Sequence, residues 1–228
     1  MEVNTFKGCI FDLDGVIVDT AHFHYLAWKK LANQLGFDFN ELQNEALKGV
    51  SRKESLEYLL HLGGLHFSEV EKLELAESKN SHYIDMISNL DESALLPGAK
   101  KLLLELKDAG YKIALGSASK NARPVLESTG ILPLFDFIAD GNSTSKSKPD
   151  PAVFLIAATG IQLLPCECIV LEDAQKGIEA AIKGGFLSLG VGDEIALGQA
   201  DHVVPNLENV NVNTLQHLYN FPIHSTIS

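Results

Sequence analysis

Cysteine is scarce in this 228-residue chain: only Cys9, Cys166 and Cys168 occur. An odd count, with two of the three a single residue apart, makes a poor disulfide framework and suits a reducing cytoplasm. Cys166-Glu167-Cys168 lacks the C-x-x-C spacing of zinc sites and leads into an apolar stretch. No apolar run approaches the roughly 18 residues that a membrane-spanning helix needs. Basic residues are outnumbered, 18 Lys and Arg against 30 Asp and Glu, for a formal net charge of −12. Nucleic-acid and anionic-membrane partners are therefore not expected, because phosphate backbones select basic surfaces. Small phosphate ligands stay open, since they need only a few cations gathered locally. Met1-Glu2-Val3-Asn4 carries neither the basic nor the apolar region of a secretion signal, so a cytoplasmic location is expected. Repeats and low-complexity tracts are missing, and the tail after Phe221 is expected to be loose. Two phosphate-binding signatures fail as well. There is no G-x-x-x-x-G-K-[ST] loop, and Gly190-Val191-Gly192 lacks the rest of a dinucleotide fingerprint.

What is present is 46% hydrophobic content, enough for one good core and a small second unit. Cys9-Ile10-Phe11 reads as a buried strand. Helical patterns then follow over residues 20–35, 41–48, 51–62 and 68–90, with no convincing strand among them. Ser51 with Glu54 and Ser68 with Glu71 form S-x-x-E capping boxes. After Pro97-Gly98 a helix runs to Leu106, and from Tyr111 strand and helix signals alternate. Strands are predicted at 111–116, 135–138, 168–171, 187–191 and 202–204, with helices at 122–128, 150–158 and 175–183. Such alternation means right-handed βαβ units and a parallel sheet covered on both faces. The fold class is α/β: a Rossmann-like parallel-sheet core, residues 1–16 and 93–228, with a helical cap, residues 17–92, inserted after the first strand. Ligands of open parallel sheets bind at the carboxyl ends of strands, so the cap is placed over the site as a lid.

Four strand ends open on that edge. The first delivers Asp12 and Asp14 within Phe11-Asp12-Leu13-Asp14-Gly15-Val16, where alternation puts both carboxylates on one side and Gly15 lets the chain turn. The second delivers Ser117, the stretch before Pro149 delivers Lys148, and the strand at 168–171 delivers Glu172 and Asp173. Carboxylates without histidine or thiolate are the ligand set of a hard cation such as Mg²⁺.

Asp12-x-Asp14-Gly15-Val16, Ser117, Lys148-Pro149 and Glu172-Asp173 resemble, in order and spacing, the four signature motifs of the haloacid dehalogenase-like hydrolase superfamily. The resemblance covers nearly the whole chain. Further stretches are similar to its hexose-phosphate mutases: Asp19-Thr20-Ala21 with His24 and Trp28, Lys48-Gly49-Val50-Ser51-Arg52, Lys79-Asn80, and Ser117-Ala118-Ser119-Lys120-Asn121. One position departs, Ala174, where those relatives usually carry serine.

The resemblance implies that Asp12 is a nucleophile forming an aspartyl phosphate, and that Asp14 is the general acid and base. It implies Mg²⁺ held by Asp12, Asp14 through its backbone carbonyl, and Asp173, with Glu172 close by. Ser117 and Lys148 would bind oxygens of the transferring phosphate, and Thr20 and His24 would serve Asp14. The implied substrate-binding set is Trp28, Gly49, Val50, Ser51, Arg52, Lys79, Asn80, Ala118, Ser119 and Asn121. Activity follows as an expectation: Mg²⁺-dependent interconversion of β-D-glucose 1-phosphate and D-glucose 6-phosphate through β-glucose 1,6-bisphosphate, by a monomer acting on a small sugar phosphate. A bisphosphate that rebinds end for end needs a second anion site, and the Arg52 guanidinium, with two parallel donors, fits it. A sugar-phosphate phosphatase of the same superfamily is the alternative, since it needs no such grip. A non-catalytic sugar-phosphate binder would have no use for the intact Asp12, Asp14, Lys148 and Asp173.

Overall fold

The computed structural model describes residues 6–221; Met1-Glu2-Val3-Asn4 and the tail after Phe221, expected to be loose, lie outside the described residues. Strand β1 (Gly8–Phe11) is buried along its whole length. Alternation sends Cys9 and Phe11 into one apolar cluster and Ile10 into another, on the two sides of the sheet. With both faces covered, β1 has no place for a polar side chain until it ends.

Strands β2 (Lys112–Gly116), β3 (Phe137–Ala139), β4 (Cys168–Glu172), β5 (Leu187–Val191) and β6 (His202–Val204) join it in the order β3-β2-β1-β4-β5-β6. Every pairing is parallel. The chain leaves β1 toward β2 and β3, then crosses to β4 on the other side of β1. That reversal is a topological switch point, where a crevice opens outside the strand ends. Register sets its contents: Phe11 lies opposite Leu115 and Leu171, so the residues just beyond these three strands converge.

Four helices follow directly after β1: α1 (Ala21–Gln34), α2 (Glu41–Glu45), α3 (Arg52–Leu62) and α4 (Glu69–Ile87). Their own apolar cluster includes Trp28, Leu31, Phe39, Leu56 and Leu59. The entry and exit of this helical layer are stitched together. Leu96 N–H donates to the Ile17 carbonyl at 2.9 Å, and Asp19 N–H donates to the Ala94 carbonyl at 2.9 Å. Helices α5 (Ala99–Asp108), α6 (Ala122–Ser128), α7 (Ala152–Gly160), α8 (Gln175–Lys183) and α9 (Val212–Asn220) complete the chain.

Some predicted elements differ in detail. The helix expected over 41–48 ends at Glu45, because the backbone turns left-handed at Gly49 (φ 70°) before Ser51 starts the next helix. Ser68 and Glu71 form a full capping box, with Ser68 N–H donating to Glu71 at 2.7 Å. At Ser51 only half forms: its hydroxyl accepts from Glu54 N–H at 3.4 Å without the reciprocal bond. The strand expected at 135–138 begins at Phe137, since residues 132–134 form a 3₁₀ turn. All three cysteines are free thiols.

Candidate active site

Asp12 follows β1 and is almost dry at 5% exposure, with its N–H held by the Leu171 carbonyl at 2.9 Å. Its carboxylate accepts a hydrogen bond from Lys148 Nζ at 2.6 Å, and the same ammonium donates to Glu172 Oε2 at 2.8 Å. Lys148 and Glu172 are 2% and 0% exposed, so this is a buried triad of one cation and two anions. Burial alone would pull the Lys148 pKa down, but the charges and hydrogen bonds of Asp12 and Glu172 hold it well above its ordinary value. Burial pushes Glu172 up, and Lys148 works against that shift. Its second oxygen, Oε1, accepts from Ala174 N–H at 3.1 Å, so both carboxylate oxygens are engaged.

Asp173 completes the acidic cluster: one oxygen each of Asp12, Glu172 and Asp173 lie within 4.8 Å of one another. Its carboxyl is pushed up to about 7, first by burial and then by the charge of Asp12. Two glycines let the backbone come this close. Gly15, at φ 86°, sits where a β-carbon would collide with the Asp173 carboxylate, and a β-carbon on Gly177 in the first turn of α8 would strike the Glu172 carboxyl. An all-oxygen set with crowded, desolvated negative charge matches a hard divalent cation, so these residues fit Mg²⁺.

Asp14 accepts a hydrogen bond from the Thr20 hydroxyl, the residue that precedes α1. Burial first, then the neighbouring Asp12 charge, pushes its carboxyl up to about 6 despite Thr20, Lys79 and Lys148. His24 presents Nε2 to Asp14 Oδ1 at 3.6 Å. Its other nitrogen, Nδ1, lies 2.9 Å from Lys79 Nζ, so a charged Lys79 donates to Nδ1 and leaves the ring proton on Nε2. Burial, with the charges of Lys79 and Arg52, keeps the imidazole well below its ordinary pKa and therefore neutral. Lys79 is itself drawn down to about 7 by burial and by Arg52, and it sits 4.6 Å over the Trp28 ring.

The cleft is lined by Asp12, Asp14, His24, Trp28, Gly49, Val50, Arg52, Lys79, Ala118, Ser119, Asn121 and Asp173. Arg52 donates to Asn80 Oδ1 at 2.9 Å, and Asn121 Nδ2 donates to the same oxygen at 2.8 Å. Asn80 thus joins α3 to the loop before α6, across the cleft. Ser117 is buried at the end of β2 and its hydroxyl accepts from Ser119 N–H at 3.1 Å. The Ser51 hydroxyl is used differently, capping α3 rather than lining the cleft. Reasoning from sequence missed Lys48 and Lys120 as lining residues, although both stand inside stretches it singled out. It also missed Gly177, whose only signal is a glycine in the first turn of a helix, and Tyr83, four residues after Lys79 on α4.

A Rossmann-like sheet that gathers three carboxylates and a buried lysine at its switch point, under a layer of helices, has the architecture of the haloacid dehalogenase-like enzymes. The family model for haloacid dehalogenase-like hydrolase matches residues 6–185, and the chain belongs to that family. It is 43% identical over 211 residues to the β-phosphoglucomutase of Bacillus subtilis strain 168, covering 92% of this chain and 93% of that one. The crystal structure of β-phosphoglucomutase from Clostridium difficile superposes with a TM-score of 0.92 at 44% identity, covering 95% of this chain and 98% of that one. A phosphorylated carbohydrates phosphatase of Thermotoga maritima is more distant, 28% identical over 184 residues, 79% of this chain and 82% of its own.

Proposed function

We propose that the chain interconverts β-D-glucose 1-phosphate and D-glucose 6-phosphate, through an aspartyl phosphate on Asp12 and a β-glucose 1,6-bisphosphate. One observation carries this reading over hydrolysis. Arg52 lines the cleft half-buried and hydrogen-bonded to a neutral Asn80; among the described residues no carboxylate forms an ion pair with it, and Glu77 acts on it only through its charge. A cation without a direct ion-pair partner at that place is suited to an anion supplied by the ligand. The relatives at 43% and 44% identity support the same substrate class.

Asp12 and Asp173, with the Asp14 backbone carbonyl, would hold Mg²⁺, and Glu172 would stand beside them orienting Lys148. When bound, the ion offsets repulsion between the Asp12 carboxylate and an anionic phosphate. Lys148 and the Ser117 hydroxyl bind phosphate oxygens at that end of the cleft. With phosphoryl already on Asp12, the 6-hydroxyl of the sugar attacks phosphorus, Asp14 takes the hydroxyl proton, and the bond from phosphorus to Asp12 breaks. The bisphosphate is then released and rebinds turned end for end, so that Arg52, Ser119 and Asn121 grip its 6-phosphate. Asp12 attacks the phosphorus on C1, the C1 oxygen leaves with the proton held by Asp14, and glucose 6-phosphate is released. A carboxyl near 6 suits both directions of that transfer close to neutral pH. His24, neutral and protonated on Nε2, orients Asp14; Lys79 and Asn80 contact sugar hydroxyls, Trp28, Gly49, Val50 and Ala118 shape the sugar pocket, and Ser51 acts only by capping α3, the helix that carries Arg52.

Within this reading, residues 17–92 act as a cap over a core of residues 1–16 and 93–228, and closure excludes water that would hydrolyse the acyl phosphate. The three free thiols support a cytoplasmic location, and the acidic charge supports a small-molecule sugar phosphate as ligand rather than a nucleic acid or an anionic membrane; the enzyme is taken to act as a monomer. Among the described residues no helix is long and apolar enough to cross a membrane. The test is to supply β-glucose 1-phosphate, Mg²⁺ and a trace of the bisphosphate and follow phosphorus resonances. Glucose 6-phosphate accumulating with little inorganic phosphate is expected; dominant phosphate release would mean a phosphatase.

A further inference from the structure

Tyr83 on α4 is completely buried, yet no hydrogen-bond partner reaches its hydroxyl among the described residues. Its ring stacks on the His24 imidazole, with centroids 4.0 Å apart and planes 26° from parallel. Lys79 Nζ lies 5.0 Å from the centre of the same phenol ring while contacting His24 Nδ1 at 2.9 Å. Two torsions set an imidazole. The stack fixes the plane of His24, and the Lys79 contact fixes which nitrogen faces inward, so Nε2 is left pointing at Asp14.

The hydroxyl makes a second point. A buried phenol needs a partner for its hydroxyl, and phenylalanine would fill the same space without that need. Thr20 is the side chain close enough to act on the Tyr83 phenol as a hydrogen-bonding group, although no bond of ordinary geometry joins them. Thr20 spends its single proton on Asp14, so an oxygen lone pair of Thr20 stays open to a donor. Burial, reinforced by the Asp14 charge, pushes the phenol well above its ordinary pKa and keeps it a donor.

We propose that Tyr83 is a positioning residue for the Asp14 proton transfer: its ring is the platform that fixes His24, and its hydroxyl donates to Thr20 to hold the Thr20–Asp14 pair. The inference rests on the mutase reading for its kinetic consequence, though not for its structural one. Two variants separate ring from hydroxyl. Tyr83→Leu should lower the mutase kcat by about 30–100-fold while KM for the sugar phosphate moves less than about threefold, since the residue acts through groups of the chemical step. Tyr83→Phe should restore most of that loss, leaving kcat about three- to tenfold below the parent. Nitrogen spectra of the His24 ring, taken without substrate, should show a single tautomer protonated at Nε2 in the parent and Tyr83→Phe, and averaging between tautomers in Tyr83→Leu.

A folded Tyr83→Leu with the parent kcat, or with an unchanged fixed tautomer, would overturn the proposal. If Tyr83→Leu does not fold, Tyr83→Phe decides: a kcat lowered about three- to tenfold with an undiminished melting temperature supports it, and an unchanged kcat overturns the hydroxyl's part. Should the parent convert no sugar phosphate at all, the functional reading fails, and the ring-nitrogen spectra still decide the role of Tyr83.

Discussion

The sheet and the helical layer meet the cleft with different kinds of contact. From the sheet side, Lys148 bonds Asp12 and Glu172 at 2.6 and 2.8 Å with all three residues at 5% exposure or less. From the helical side the contacts are looser: His24 stands 3.6 Å from Asp14, and half-buried Arg52 reaches a neutral amide. A dry triad of fixed charges is set before any ligand arrives, which is what phosphoryl transfer requires of its electrostatics. Groups carried on α1, α3 and α4 can shift with the helices that bear them, which suits selection and the exclusion of water. On the proposed reading the sheet side carries the phosphoryl group, while the helical side positions Asp14 and bears on the choice between transfer and hydrolysis.

Substitutions can break that division of labour, beginning with the largest effect. Asp12→Asn keeps the shape but removes the attacking oxygen, and sugar-phosphate turnover should fall more than about 10³-fold, whether assayed as mutase or as hydrolysis. Lys148→Met strands two buried carboxylates, and chemical denaturation should show a loss of about 3–5 kcal/mol. Arg52→Ala should cut the mutase rate by about 30–200-fold while hydrolysis of a small aryl phosphate drops less than about threefold. Equal losses would erase the distinction between the two sides.

The pH dependence of stability sharpens the comparison. A carboxyl raised from 3.8 to about 6 binds its proton more tightly folded than unfolded. The stability Asp14 contributes is complete below pH 3.8 and is lost as the pH rises through 6. In metal-free protein, Asp14→Asn should therefore be more stable than the parent by on the order of 2 kcal/mol at pH 7, with the advantage gone at pH 3.5. Lys79 runs the other way: drawn down to about 7 from 10.5, it penalises the fold below pH 7, and that penalty is relieved as pH rises from 7 toward 10.5. Least in size is Ala174→Ser. Ala174 caps α8 in extended geometry with no side-chain bond, so serine should add about 0.5–1 kcal/mol and leave turnover nearly unchanged.

Much of the sheet side could be read from the sequence, because its strands are short, apolar and lead directly into functional residues; Lys148 alone arrives from a loop, well past the end of β3. Asp12, Ser117 and Asp173 all fall within two residues of a strand end, and the parallel order then brings them together without further information. The helical layer was legible as helices but less so as a site. Its residues meet the cleft through tertiary packing, and the stacking of Tyr83 on His24 joins positions 59 residues apart on different helices. Helix α9 escaped notice since Asn211-Val212-Asn213-Thr214 are weak helix formers; Asn211 caps it by accepting from Thr214 N–H at 3.0 Å, and Leu215 is its one buried residue. Gly177 shows the same limit: its need to be small comes from Glu172, which only the fold sets against it.

The central claim is that Asp12 carries the phosphoryl group. Acid-quenching the enzyme during turnover and reducing it with borohydride converts an acyl phosphate to an alcohol, which peptide mass spectrometry can place. Homoserine appearing at position 12, and only with substrate present, is the predicted result. Steady turnover with Asp12 unmodified, or the reduced residue found elsewhere, would contradict the account.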